Sequence, residues 1–295
     1  MKILHIDIET AYTVAAVWGA YEQDIATELE HEYVLGVGFQ WNHKSKVEWR
    51  GLPDFPLYQR EKKNDKALME FIWKLLDEAD VVVAHNGRAF DMKKLRARML
   101  FNGLPPLKEP KIVDTKVEFK KKFSVISNKL DDLARVYLDD RKVKHSGIEL
   151  WVRCMSEVYD PEAWKEMGTY CKKDVALLKR LYALIVPWMD NPPNWNLEED
   201  RPVGCPACGF PVYVKHGLRW NNSTVQQKYR CMREGCWHVF GGKSVPRKYK
   251  EFLDAKASED EGIATSSERR TKSPEVRKRR KVPAREKGRV RKRSQ

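Results

Sequence analysis

From Lys2 to Glu9 the chain alternates, with Leu4, Ile6 and Ile8 on one side and His5, Asp7 and Glu9 on the other. Successive side chains on a strand face opposite ways. The pattern therefore predicts a strand with an apolar row that seeks a core and a polar row that sets two carboxylates side by side. Tyr33 to Trp41 is rich in β-formers and bracketed by polar residues, and Lys46 to Arg50 is a third extended run, so an antiparallel meander is expected. Residues 11–22 show no strong period and read as a loop or short ribbon. Leu68, Phe71, Ile72, Leu75, Leu76 and Ala79 recur at three and four residues, the spacing of an amphipathic helix. Val81–Ala84 is wholly apolar, as a buried parallel strand is. A helix over 91–101, a short buried strand at Ile112 and Val113, and a helix carrying Leu130, Leu133, Ala134, Tyr137 and Leu138 follow. A long helix runs from Pro161 or Gly168 to Ile185, with Val175, Leu178, Leu181 and Tyr182 on its core side.

Three meandering strands, then helix, strand, helix, strand, then helices, predict an α/β fold: a mixed sheet with helices on both faces. Pro187 and the Asn191–Asn194 stretch, with Pro192 and Pro193, end it. The expected organisation is a domain over 1–190, a linker over 191–202, a small cysteine module over 203–245 and a tail over 246–295. The tail is mostly Ser, Glu, Lys and Arg with few large apolar residues, and disorder is expected there.

A chain of 295 residues, 42% of them hydrophobic, has room for one sizeable core and a small companion. No apolar run approaches the ~18 residues of a membrane span, so no membrane partner is expected. The chain opens directly on a strand, so no signal peptide is expected. Four of the six cysteines are clustered at metal-ligand spacing, which points to a reducing compartment. The expected localisation is the cytoplasm of a bacterium or phage-infected cell, or the nucleus if the source is eukaryotic. Net charge is +14, yet residues 241–295 hold 19 Lys/Arg against 8 Asp/Glu, or +11, which leaves +3 for the rest. The charge belongs to the tail, and a basic tail suits a polyanion, although a solvated tail with no dedicated role has the same composition.

Two further acidic positions join Asp7 and Glu9. The Val81–Ala84 strand delivers the chain to Asn86 and Gly87, a turn, and then to Asp91 at a helix start. Strand ends of α/β sheets are where ligands usually bind, although an acid at a helix N-terminus also complements the dipole. On the long helix, Tyr170 and Asp174 are four apart and share a face, which is also the pattern of a surface acid beside a half-buried tyrosine.

In order these are Asp-x-Glu on the first strand, Asn-x-x-x-Phe-Asp, and Tyr-x-x-x-Asp on a late helix. The chain from Met1 to Trp188 thereby resembles the DEDD superfamily of 3′–5′ exonucleases in its tyrosine-containing branch, which includes the proofreading domain of family-B DNA polymerases. The resemblance implies an RNase H-like, five-stranded mixed sheet with one antiparallel strand. It also implies that Asp7, Glu9, Asp91 and Asp174 hold two Mg²⁺ or Mn²⁺ ions, with Asp7 bridging both, and that Tyr170 orients the attacking water. Asn128–Ala134, Lys142–Gly147 and Glu149–Trp151 look closest to stand-alone exonucleases of phage type. Where the histidine branch carries its histidine, this chain has Thr169. Asp114 and Thr115 end a strand near the site and either support it or cap the next turn. His85 and His145 are left out of the catalytic set.

Cys205 and Cys208, then Cys231 and Cys236, have the spacing of a tetrahedral zinc site. The module resembles a zinc ribbon, with short strands at Tyr213–His216 and Gln227–Arg230, and a unit this small depends on its metal to fold. His238 is an alternative ligand, and Cys154 and Cys171 read as ordinary buried side chains. Lys215, Arg219, Trp220, Lys228, Tyr229, Arg230 and Arg233 mix cations with aromatics, as single-strand binders do. The ribbon equally suits a replication or repair protein as partner. The resulting expectation is a metal-dependent 3′–5′ exonuclease on nucleic acid, DNA ahead of RNA. The rivals are the same chemistry on RNA, an inactive exonuclease fold that only binds nucleic acid, and a structure-specific endonuclease on this fold.

Overall fold

The computed structural model describes residues 1–19, 21, 24–197 and 203–246. The basic tail expected to be disordered lies, beyond Pro246, outside the described residues. The body is a five-stranded sheet in the order β5, β4, β1, β6, β7, formed by β1 (Ile3–Thr10), β4 (Val34–Trp41), β5 (Glu48–Gly51), β6 (Val81–Ala84) and β7 (Lys111–Asp114). Here β1 runs parallel to β6 and β6 parallel to β7, whereas β4 is antiparallel to both β1 and β5, so β4 alone opposes the rest. This is the mixed RNase H-like sheet expected. The segment after β1 forms a two-stranded ribbon of β2 (Val14–Ala16) and β3 (Thr27–Glu30).

Helices α1 (Lys66–Glu78) and α2 (Asp91–Phe101) cover one face, where Leu4, Ile6 and Ile8 enter the main core with Leu68, Ile72, Leu76, Met92 and Leu95. The other face is crossed by α6 (Pro161–Ile185), with α3 (Thr115–Lys122), α4 (Leu130–Tyr137) and α5 (Ile148–Cys154) beside it. Both rows of β1 are therefore covered, and the polar row of His5, Asp7 and Glu9 lies beneath α6. The approach is close. Gly38 pairs with Asp7 in register, and a Cβ there would stand 2.8 Å from Cys171 Sγ, so only glycine lets the helix settle on β4 at this level.

Helix α3 was not legible in the apolar pattern. Four of its eight residues are lysine, and it forms because the Asp114 carboxylate accepts from the Lys116 and Val117 N–H groups at its start. The expected linker is packed against the body: Pro192 and Pro193 are buried, and Lys111 Nζ donates to the Asn191 and Pro192 carbonyls, each at 3.0 Å. The reason is apolar surface, since Met189 and Trp195 close a cluster with Ile3, Val81, Val113 and Tyr182. The small module is a three-stranded antiparallel sheet of β8 (Tyr213–Trp220), β9 (Thr224–Cys231) and β10 (Val239–Pro246). Its strands are longer than expected, and β10, which opens with Val-Phe-Gly-Gly, carried no strand pattern.

Candidate active site

Three elements bring the acids together. β1 supplies Asp7 and Glu9. The turn after β6 supplies Asp91, whose carboxylate accepts from the Ile8 N–H and from its own. α6 supplies Asp174 and, one turn earlier, Tyr170. Glu9, Asp91 and Asp174 are buried, while Asp7 is half-buried. Ligand atoms of Asp7, Glu9 and Cys171 lie within 4.8 Å of one another. Cys171 is thus buried, as expected, but not inert packing: its thiol sits 3.6 Å from an Asp7 carboxylate oxygen.

Like charges and poor solvation push every one of these acids toward the neutral form. Burial first, then Glu9, Asp91 and Asp174, holds the Asp7 carboxyl well above the usual range. Burial and Asp174 push Glu9 up to about 8, and burial lifts Asp91 to about 6. Burial also raises Asp174, though Lys142 opposes it. Asp174 Oδ1 is buried without a hydrogen-bond partner among the described residues. Hard oxygen donors, mutual repulsion and an unmatched buried carboxylate oxygen are what a pair of divalent cations relieves.

Lys142 was not among the residues singled out for a role. Its ammonium donates to Asp174 and, at 3.1 Å, to the Tyr170 hydroxyl. Burial disfavours its charge, but Asp174 and Tyr170 more than offset this and hold it protonated. The segment that carries it is fastened by the Lys142 N–H on Asp131 Oδ1 at 2.8 Å, and by Asp140, which accepts from Lys173 Nζ at 2.7 Å. Tyr170 is further held by the His145 ring, with centroids 4.6 Å apart.

Asp114 both supports and caps. Besides starting α3, its carboxylate accepts the Asn86 and Arg88 N–H groups at 3.0 and 3.1 Å, and so fixes the turn that presents Asp91. Asn86 takes a positive φ of 71° there, which asparagine tolerates. His85 spans Thr115 Oγ1 and the Asn128 carbonyl, both at 2.9 Å, and burial lowers its pKa to about 4, so it is a neutral tie between loops.

In the small sheet, the sulfurs of Cys205, Cys208, Cys231 and Cys236 lie within 4.8 Å of one another, at 4.0 Å for Cys205 and Cys236 and 3.7 Å for Cys208 and Cys231. A zinc–sulfur bond of about 2.3 Å separates tetrahedral sulfurs by about 3.8 Å, so the cluster is consistent with a zinc ribbon. His238 stands outside this set: its Nδ1 pairs with the Pro187 carbonyl at 2.7 Å and joins the module to the body. The basic and aromatic residues do not form one face. Lys215, Arg219 and Trp220 are exposed and Arg230 is half-buried. Arg219 and Lys228 line a cleft against the body, and the Tyr229 ring packs edge-on to Tyr213 at 5.3 Å.

Residues 21–186 match the family model of the RNase H superfamily (RNase_H_2), a span that includes Asp91, Tyr170 and Asp174. No curated protein matches the sequence. Among solved structures, the family B DNA polymerase from the hyperthermophilic archaeon Pyrobaculum calidifontis superposes with a TM-score of 0.47 at 17% identity, over 63% of this chain and 25% of the polymerase. This chain thus spans about a quarter of that polymerase's length.

Proposed function

We propose that this chain, which belongs to the RNase H superfamily, is a metal-dependent 3′–5′ exonuclease of the tyrosine-containing DEDD type acting on single-stranded DNA. What supports this reading is that Asp7 and Glu9 lie with Cys171 within 4.8 Å of one another, that Asp91 and Asp174 are close enough to raise the Asp7 carboxyl further, and that Lys142 joins Tyr170 to Asp174. Asp7, Glu9, Asp91 and Asp174 would hold a pair of Mg²⁺ or Mn²⁺ ions, which would lower the pKa of water and neutralise charge on the attacking and leaving oxygens. Hydrolysis adds water across the terminal phosphodiester, releasing a nucleoside 5′-monophosphate and leaving a new 3′-hydroxyl.

The chain's own groups do the positioning. The Tyr170 hydroxyl orients the water, and Lys142 and Asp174 fix that hydroxyl. Lys142 also supplies a permanent positive charge beside the scissile group. Asp114 keeps the Asp91 turn rigid through its two N–H bonds. The four cysteines hold one structural zinc in a ribbon that binds the strand together with the basic tail.

The test is to incubate the full chain, with Mg²⁺ or Mn²⁺ and with EDTA, on 5′-labelled and 3′-labelled single-stranded DNA and RNA. Mononucleotide release from the 3′ end of DNA, abolished by EDTA and by Asp7→Ala, is expected. Internal cuts, release from the 5′ end, or binding without hydrolysis on every substrate would overturn the reading.

A further inference from the structure

Helix α6 ends at Ile185, and the chain then turns past Pro187 and Trp188 to lie against the small sheet. Between them is a cleft of about 900 Å³. Its walls carry Lys122, Arg219 and Lys228, together with the indoles of Trp188 and Trp237. Those indoles are 62% and 49% exposed. Asp190 also lines the cleft, but it is already paired with both Lys121 and Lys122. Neither Arg219 nor Lys228 has a carboxylate partner among the described residues. The cleft therefore sets two partly exposed tryptophans beside two cations that have no carboxylate partner among the described residues.

The backbone at Trp237 adds an independent argument. Each knuckle of the cysteine cluster ends on a cysteine followed by a residue at positive φ. After Cys208 that residue is Gly209, at 72°, as the conformation favours. After Cys236 it is Trp237, at 51°. A bulky residue in the left-handed region is an outlier, and such outliers cluster where side chains serve ligands. The turn would form more easily with glycine, and tryptophan at this position lines the cleft.

The cleft is connected to the carboxylates. Helix α3 starts on the Asp114 turn that holds Asp91 and ends at Lys122 in the cleft wall. Lys116, whose ammonium reaches Asn86 at 3.2 Å, and exposed Lys120 stand between them. Along α6, Asp174 and Ile185 are separated by about 16 Å at ~1.5 Å per residue.

We propose that this cleft is a second nucleic-acid site, which holds the single strand on the 5′ side of the nucleotide being removed. Bases stack on Trp237 and Trp188, and phosphates lie on Arg219 and Lys228. The strand's direction rests on the exonuclease reading of the carboxylates; binding in the cleft does not.

The test uses the full chain. Anisotropy without added Mg²⁺ or Mn²⁺, and without chelator so that the cysteine module keeps its zinc, measures affinity for labelled oligothymidylate and oligouridylate of ~15 nucleotides, which even at ~3.4 Å per nucleotide exceed the span from the carboxylates. Hydrolysis of the p-nitrophenyl ester of thymidine 5′-monophosphate with Mn²⁺ reports the carboxylate site alone, since that molecule cannot reach the cleft. Trp237→Gly should weaken binding of the preferred strand by about 5- to 100-fold, leave ester hydrolysis unchanged and melt no lower than the parent. Arg219→Gln should weaken binding and reduce its salt dependence by about one phosphate contact. The two strands distinguish a DNA site from an RNA site. Unchanged affinity of both variants for both strands overturns the cleft and leaves the exonuclease reading intact. Loss of affinity in a protein that hydrolyses nothing supports the cleft and removes the exonuclease reading.

Discussion

Lys142 places its ammonium on Asp174, the acid contributed by α6, and 3.1 Å from the hydroxyl of Tyr170. One cation thus holds two of the groups assigned to chemistry, and in the absence of metal it is their counter-charge. Lys142→Met should lower stability without added Mg²⁺ or Mn²⁺ at pH 8 by about 1–3 kcal/mol, because Asp174 then keeps only the Tyr170 hydroxyl as a partner. Mn²⁺ should recover most of that loss. The rate should fall on the order of 10–10²-fold through misplacement of Tyr170. Calorimetry with and without metal, alongside the strand assay, checks both, and a variant that is fully active would leave Lys142 with a structural role only.

Removing an acid should do the reverse to stability. Asp7 is crowded by burial, Glu9, Asp91 and Asp174. Asp7→Asn keeps its shape and removes its charge. We expect it to melt a few degrees higher than the parent in EDTA, since a raised carboxyl is a cost that neutralisation relieves, and to lose activity on the order of 10³-fold or more. Parental rates in both Asp7→Asn and Asp174→Asn would show that the chemistry lies elsewhere.

How far these positions could be read in advance follows from the kind of signal each carries. Asp7 and Glu9 lie in a strict two-residue alternation, and Tyr170 and Asp174 lie on one helix face. Periodicity therefore placed them, and the order of motifs linked them. The burial of the polar row of β1 could not be read, because it depends on Gly38 admitting α6, a contact between residues far apart in sequence. Lys142 sits in a stretch with no period, and only its fastening through Asp131 and Asp140 aims it. Asp114 offered two readings in the sequence, and the fold uses it for both. In the cysteine module spacing alone grouped the four cysteines whose sulfurs the fold brings within 4.8 Å of one another. The packing of Pro192, Pro193 and Trp195 against the body was hidden, since proline-rich stretches read as linkers whether docked or free.

The acid cluster makes stability depend on pH with a definite sign. Glu9 shifts from 4.5 to about 8 and Asp91 from 3.8 to about 6. The folded chain holds these protons more tightly than the unfolded chain, so without metal stability falls as pH rises through those values. His5 and His85, lowered by burial from 6.5 to about 4, act oppositely but only below 6.5. Between pH 6.5 and 8 the carboxylates are isolated. There the melting temperature without added Mg²⁺ or Mn²⁺, and without chelator, should drop, and saturating Mn²⁺ should flatten or reverse the trend as metal displaces protons. A flat profile without added metal would mean that Glu9 is already ionised.

Tyr170→Phe isolates the hydroxyl. The ring packing against His145 and Trp151 is retained, so the fold should be unaffected. Activity should fall on the order of 10–10³-fold, less than for the aspartates, because the hydroxyl positions water and holds no metal. Isothermal titration should find Mn²⁺ affinity within about threefold of the parent. Weakened metal binding would instead make Tyr170 a support for Asp174.

The cysteine module and the tail should separate into a structural and an electrostatic contribution. One zinc per chain is expected, lost in Cys205→Ser with Cys208→Ser, and with it the order of β8–β10, because so small a sheet has little core of its own. The module is also docked: His238 pairs with the Pro187 carbonyl at 2.7 Å, and the Pro206 carbonyl accepts at 3.0 Å from the N–H of Trp195, which packs in the cluster of Ile3 and Tyr182. Its unfolding should therefore lower the melting temperature of the α/β body while leaving turnover at saturating substrate within about threefold, since every acid precedes Trp188. The chain ended at Pro246 keeps the zinc and both sheets and loses most of the +11 that residues 241–295 carry. Its affinity for single strands should fall and depend less steeply on salt, as counterion release requires, with turnover again unchanged. Zinc content, melting curves and KM at two salt concentrations decide the matter. A zinc-free variant that folds but cannot turn over at saturation would place part of the active site in the ribbon.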